Sequence, residues 1–213
     1  MSAAGKFVTM EGIEGVGKST QVARLSAALQ GKGVAHVVTR EPGGTALAET
    51  IRDVVLSARD EALPATAELL LMFAARAVHI KNLVEPNLRA GRWVICDRFT
   101  DATYAYQGGG RGVPIEQIRE LEAMVQGALR PDLTVLLDAP VANALARART
   151  RNAGAVEDRF EREKSEFFVR VRAAYLARAA ADPARIAVVD ATRAVDEIGA
   201  SILGLLGARA WIS

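Results

Sequence analysis

The stretch FVTMEGIEGVGKST, residues 7–20, decides the fold. Its opening is short, apolar and closed by glycine, which reads as a buried strand. From Gly12 to Ser19 the spacing is G-x-x-x-x-G-K-S, with Ile13, Glu14, Gly15 and Val16 between the glycines. Gly17 precedes Lys18, Ser19 and Thr20, and a helical pattern follows. Glycines let backbone N–H groups turn inward around phosphate oxygens, and the helix N-terminus adds its positive dipole end. Lys18 reaches the β- and γ-phosphates, and Ser19 offers a hydroxyl to Mg²⁺. Residues 12–20 are therefore expected to cradle a nucleoside triphosphate.

Downstream, short apolar runs alternate with helical patterns. VAHVVT, RWVICD, LTVLLD and RIAVVD read as four more strands. Helices are expected over ALAETIRDVVL, from Ala65 to about Arg89, after Pro114, over APVANALARART, over the charged run EDRFEREKSEFFVRVRAAYLARAA, and at the C-terminal end. YQGGGRG is expected to be a glycine-rich loop. The alternation predicts an α/β, P-loop NTPase-type fold with a five-stranded parallel sheet flanked by helices. No repeat or linker appears, so residues 1–213 are read as one domain. RNAGAVEDR is expected to be its most mobile segment.

Three function classes use such a cradle. A GTPase switch would carry D-x-x-G after a strand and N-K-x-D for guanine, and neither is present. A motor or transporter ATPase needs more chain or an assembly surface. A small kinase needs an acceptor pocket and arginines over the donor phosphates, and this chain offers both.

TREPGGT at 39–45, DRF at 97–99, AYQGGGR at 105–111 and RNAGAVEDR follow the cradle in that order. Together they resemble the thymidylate kinase family over nearly the whole chain. The resemblance implies transfer of the γ-phosphoryl group of ATP to dTMP, with Mg²⁺, in a homodimer. It assigns Arg98 to the acceptor phosphate, a place that suits a planar guanidinium just past a strand's C-terminal end. Asp97, ending the same strand, is expected to orient Mg²⁺ together with Ser19. Arg52 is placed near the acceptor phosphate, and Glu14 near the acceptor's 3′-hydroxyl with Arg52 as neighbour. Arg76 is assigned to thymine O4, and Thr103 and Gln107 to the pyrimidine. The family's aromatic four residues before that arginine is absent here. Either Met72 covers the base, or Phe73 reaches it from a rotated helix. Phe99 stands where Tyr or His is common.

Arg147, Arg149, Arg151 and Arg159 surround a glycine-containing segment, read as a mobile lid of about residues 147–160. Position 15 is glycine, so the phosphate loop brings no arginine of its own. Arg149 and Arg151 are accordingly expected to stabilise the transferring phosphoryl group, as in the subgroup with lid arginines. Arg147 is instead a candidate for contact with adenine, opposite DATR after the last strand. The rivals are a related kinase with another acceptor and a nucleotide-dependent switch.

The bulk composition is compatible with this. Of 213 residues half are hydrophobic, and 27 basic against 25 acidic residues leave a formal +2. That balance argues for no general nucleic-acid or membrane surface. Cys96 is the sole cysteine and is read as a buried hydrophobe in a cytoplasmic protein. His36 and His79 have no metal-ligand spacing and are read as structural.

Overall fold

The computed structural model describes residues 5–57, 60–151, 159–160 and 163–212. Five strands form one parallel sheet: β1 (Phe7–Glu11), β2 (His36–Arg40), β3 (Trp93–Asp97), β4 (Leu133–Asp138) and β5 (Ile186–Asp190). Their order is β2-β3-β1-β4-β5. The first strand is thus central, with the chain turning to opposite sides after it. In open α/β sheets that switch point, at the strands' carboxyl ends, is where ligands bind. β1 is buried along its whole length, while on the edge strands Val38 and Val188 are exposed.

Helices flank the sheet: α1 (Lys18–Gly31), α2 (Ala46–Leu56), α3 (Ala65–His79), α4 (Glu85–Arg89), α5 (Thr100–Thr103), α6 (Ile115–Gln126), α7 (Val141–Arg151), α8 (Ser165–Ala181) and α9 (Val195–Ala208). The expected long helix from Ala65 to Arg89 is continuous but not uniform. It widens to a π turn over Ile80–Val84, directly before Pro86, which lacks the N–H of a regular ladder. Among the described residues no helix is long and apolar enough to cross a membrane.

Two expectations fail. YQGGGRG is no loop: Tyr104–Gly110 forms a π-helical segment packed on α8. A Cβ at Gly109 would sit 2.6 Å from Ala174 Cβ and 3.0 Å from Arg170 O, so glycine serves close approach of two helices rather than a turn. Among the described residues of the charged run, the helix starts later than expected. Arg159 and Phe160 form a turn, and α8 begins only at Ser165. Phe160 leaves the helical path to pack on Tyr106, edge to face at 5.5 Å, and tertiary burial overrides local pattern. RNAGAVEDR, apart from its two ends, lies outside the described residues.

Candidate active site

The carboxyl ends of β1 and β3 adjoin, with Met10 opposite Asp97. From β1 the chain runs into the glycine loop. Gly17 has φ 93° and stands before α1 with no side-chain cap, so the first-turn N–H groups are available to an anion. Lys18 Nζ donates to the carbonyls of Gly12 and Ile13, at 3.0 and 2.8 Å, and so lies along the inside of the loop. Burial, and then the Arg98 charge, lower its pKa to about 8. Ile13 and Val16 contribute backbone to the loop and side chains to the core. Thr20 is exposed one residue past Ser19.

Gly15 explains the loop's missing arginine. A Cβ there would lie 1.9 Å from Ala144 O and 3.0 Å from Ala148 N. The backbone of α7 therefore rests against the loop at a residue without a side chain. Arg147 and Arg149 are both exposed on that helix. Arg147 Nη1 donates to Ala191 O at 2.9 Å, which joins it to the DATR segment. Arg151 ends α7, and its side chain lies outside the described residues.

Asp97 ends β3, and Ser19 Oγ donates to its Oδ2 at 3.4 Å. This hydroxyl–carboxylate pair fits Mg²⁺, which takes few protein oxygens and completes its shell with water and substrate phosphates. Among the described residues no cluster of three acids, histidines or cysteines could hold a metal by itself.

Arg98 follows with a left-handed backbone, φ 69°. Its Nη1 donates to Gly12 O (2.8 Å) and Tyr175 Oη (3.2 Å), and its Nη2 to Glu14 Oε1 (2.8 Å). Tyr106 donates its hydroxyl to the Glu14 carboxylate at 2.7 Å and stacks under the guanidinium at 4.8 Å. Glu14 therefore pairs with Arg98 and Tyr106. Arg52, expected as a neighbour of Glu14, lines the same cavities, and its Nη1 donates to Pro42 O at 2.7 Å. Behind Arg98, buried Glu11 accepts from Phe99 N and Tyr175 Oη, both at 2.7 Å. Burial, then the Asp101 charge, push its carboxyl up to about 8.

Two cavities meet here. One is lined by Gly15, Gly17, Lys18, Ser19, Arg40 and Asp97. The other is lined by Leu56, Met72, Ala102, Tyr106, Gln107 and Phe160 among others. Glu14, Glu41, Arg52 and Arg98 line both and so form the wall between them.

Around the second cavity the expected base readers divide. Met72 and Gln107 line it. Phe73 does not: it packs with Leu69, Tyr104, Val113 and Ile118, and its ring lies 4.8 Å from the Arg76 guanidinium. Of the two alternatives, the structure puts Met72 at the wall and Phe73 behind Arg76. Arg76 is fully buried. It donates to Glu41 Oε2 (2.8 Å) and Thr103 Oγ1 (3.0 Å), while its Nη1 has no protein partner. Thr103 thus supports Arg76, and neither is among the residues lining the cavity, Arg76 lying behind Glu41 and Met72. Phe99 packs edge to face on Phe7 in the core, which accounts for an apolar residue at that position. His79 bridges Glu41 and Thr39, and His36 bonds Ser26 and Val34 O. Cys96 is buried.

Sequence reasoning missed Glu41, Tyr106, Phe160, Glu11 and Tyr175. For Glu41 and Tyr106 a signal existed, since both stand inside quoted motifs. Tyr175 sits in a helix without a motif, and only the fold brings it 164 residues back to Glu11.

Comparison with known proteins bears on this geometry. The sequence model of the thymidylate kinase family matches residues 10–202. A thymidylate kinase of Chromohalobacter salexigens is 55% identical over 206 residues, 96% of each chain. One from Bordetella petrii is 53% identical over 202 residues, 95% of each chain. The crystal structure of a thymidylate kinase from Ehrlichia chaffeensis superposes with a TM-score of 0.76 at 32% identity, covering 95% of this chain and 99% of that one. A nucleotide-cradling loop joined by a shared arginine wall to a second cavity, and matches along nearly the full length, lead to one assignment: the chain belongs to the thymidylate kinase family.

Proposed function

We propose that the chain transfers the γ-phosphoryl group of ATP to the phosphate of dTMP, giving dTDP and ADP for dTTP synthesis, as one unit over residues 1–213. The observation that carries this is the shared wall. Donor phosphates in the glycine loop and an acceptor in the second cavity bring their phosphates together at Arg98 and Arg52. An acceptor phosphate oxygen attacks the γ-phosphorus, and the bond from that phosphorus to the β–γ bridging oxygen breaks. Lys18 and the loop N–H groups hold the donor, while Arg98 and Arg52 hold the acceptor phosphate. Glu14, fixed by Arg98 and Tyr106, accepts from the acceptor's 3′-hydroxyl. Arg76 Nη1 and Gln107 Oε1, both buried without protein partners, supply one donor and one acceptor to the thymine edge. Mg²⁺ beside Ser19 and Asp97 would neutralise charge between the phosphates. In a coupled assay dTMP should have the highest kcat/KM among dTMP, dUMP, dCMP, dGMP and thymidine. A preference for thymidine would assign an acceptor without phosphate and remove Arg98 from this role.

Protonated Lys18 is what the triphosphate recognises, and its free-enzyme pKa is about 8. A base is charged below its pKa. The kcat/KM for ATP should therefore fall as pH rises through about 8, because that ratio reports the free enzyme. A ratio flat from pH 6.5 to 9.5 would contradict it.

Arg149 and Arg151 of the proposed lid act on the transferring group, since Gly15 leaves the loop without an arginine. Their joint replacement by alanine should lower kcat by roughly 10³-fold, towards the lower end for such arginines, with little change in KM for dTMP. Steady-state kinetics on both single variants and the double separates this from acceptor binding, which would raise KM alone.

The protein is proposed to be a cytoplasmic homodimer. Leu47 and Val54 stand seven residues apart on one face of α2 and are 58% and 39% exposed; Leu70, on the adjoining α3, is 52% exposed. Light scattering should give twice the chain mass, and Leu70→Glu should shift it towards one chain.

A further inference from the structure

Glu68 is a fully buried carboxylate on α3 with no place in the chemistry above. Three donors from distant chain segments converge on it. Gln107 Nε2 donates to Oε1 at 2.7 Å, Arg111 Nε to Oε2 at 3.3 Å, and Arg159 Nη2 also to Oε2. A carboxylate accepts and has no proton to give, whereas a glutamine amide carries a donor at one end and an acceptor at the other. A glutamine facing a substrate can therefore present either end, and something else must choose.

Here Glu68 makes that choice. It draws the amide NH₂ of Gln107 to itself, so the opposite end of the side chain is Oε1. That oxygen is buried without a protein partner, in a residue that lines the acceptor cavity. We infer that Glu68 is a specificity-determining positioning residue: it orients Gln107 so that an acceptor faces the base, which selects a pyrimidine bearing N3–H over one with a bare N3. Thymine and uracil carry that proton and cytosine does not. An acceptor set against cytosine N3 leaves two lone pairs opposed and both groups unpaired, the condition under which polar sites discriminate most strongly. The proposal rests on the reading of the second cavity as the base site.

Glu68 also ties Arg159 and Arg111 to α3, and a purely structural role would be confined to that. The two roles differ in a ratio. The full-length protein is assayed for kcat/KM with dTMP and with dCMP, so that any loss of folded protein cancels between substrates. Glu68→Gln keeps the shape but can offer Gln107 either partner. The dTMP/dCMP ratio should contract by about 10- to 100-fold. Arg159→Met leaves the Glu68–Gln107 bond in place and should keep the ratio, whatever it does to each rate. Where Glu68→Gln alone leaves Arg159 unpaired and the chain fails to fold, Glu68→Gln with Arg159→Met removes both charges and is read the same way. An equal loss on both substrates at Glu68→Gln overturns the inference and leaves an ion-pair hub. Gln107→Met separates the two failures. If it keeps the wild-type ratio, the base reading itself is overturned, and the inference with it. If it loses the ratio while Glu68→Gln retains it, only the inference falls.

Discussion

Arg98 carries a left-handed backbone, φ 69°, at the exit of a buried strand. For an L-residue with a side chain that conformation costs roughly 1–2 kcal/mol. Its surroundings over-determine it. Arg98 N donates to Met10 O at 3.0 Å, Cys96 Sγ to Arg98 O at 2.9 Å, and the next amide, Phe99 N, to Glu11. The conformation directs the guanidinium back across the sheet to the glycine loop, where Glu14 and the Gly12 carbonyl receive it. Donor loop, acceptor wall and helix α8, through Tyr175, are then joined by one side chain. Sparse backbone conformations persist where a site needs them, and this one ties the glycine loop to the wall between the two cavities.

The charges around that arginine are arranged in satisfied groups. Arg76 shares Glu41 with His79, and all three are essentially buried. Asp101 holds Arg178 and Arg185 beneath the sheet's end. Burial opposes its ionisation, but Arg185 and Arg178 hold its carboxyl below the usual range. Such clusters add little net stability, because desolvation offsets attraction. What they fix is direction. Glu41 engages Nε of Arg76 and Thr103 engages Nη2, so Nη1 is the donor left over. Glu68 does the same for Gln107. In both cases a buried acid decides which polar atom is left without a protein partner.

The sheet was readable in the sequence because buried parallel strands are written as short continuous apolar runs, and the cradle because its glycines and lysine are local. Arg98 and Asp97 followed from ending a strand. What failed to show depends on packing between distant segments. The three consecutive glycines at 108–110 look like a loop, and only the presence of Ile115 and Ile118 on α6 and of Ala174 and Phe167 on α8 makes them helix contacts. Met72 and Phe73 are adjacent in sequence, and which one meets the cavity depends on the rotation of α3. Glu68 and Gln107 are separated by 39 residues, and nothing local announces that they pair.

Gly15 connects these levels. As a sequence letter it says that the loop lacks an arginine. As a structural position, with φ 77° and α7 backbone within 1.9 Å of a would-be Cβ, it says why α7 can lie there. A side chain at 15 and a helix seated on the loop exclude each other by volume alone. An arginine side chain therefore cannot come from position 15 while α7 is seated there. Helix α7 carries Arg147 and Arg149, both exposed, and ends at Arg151. Arg147 is already joined to Ala191 at the end of β5. That contact is the physical ground for the proposal that Arg147, rather than an arginine further along α7, meets adenine.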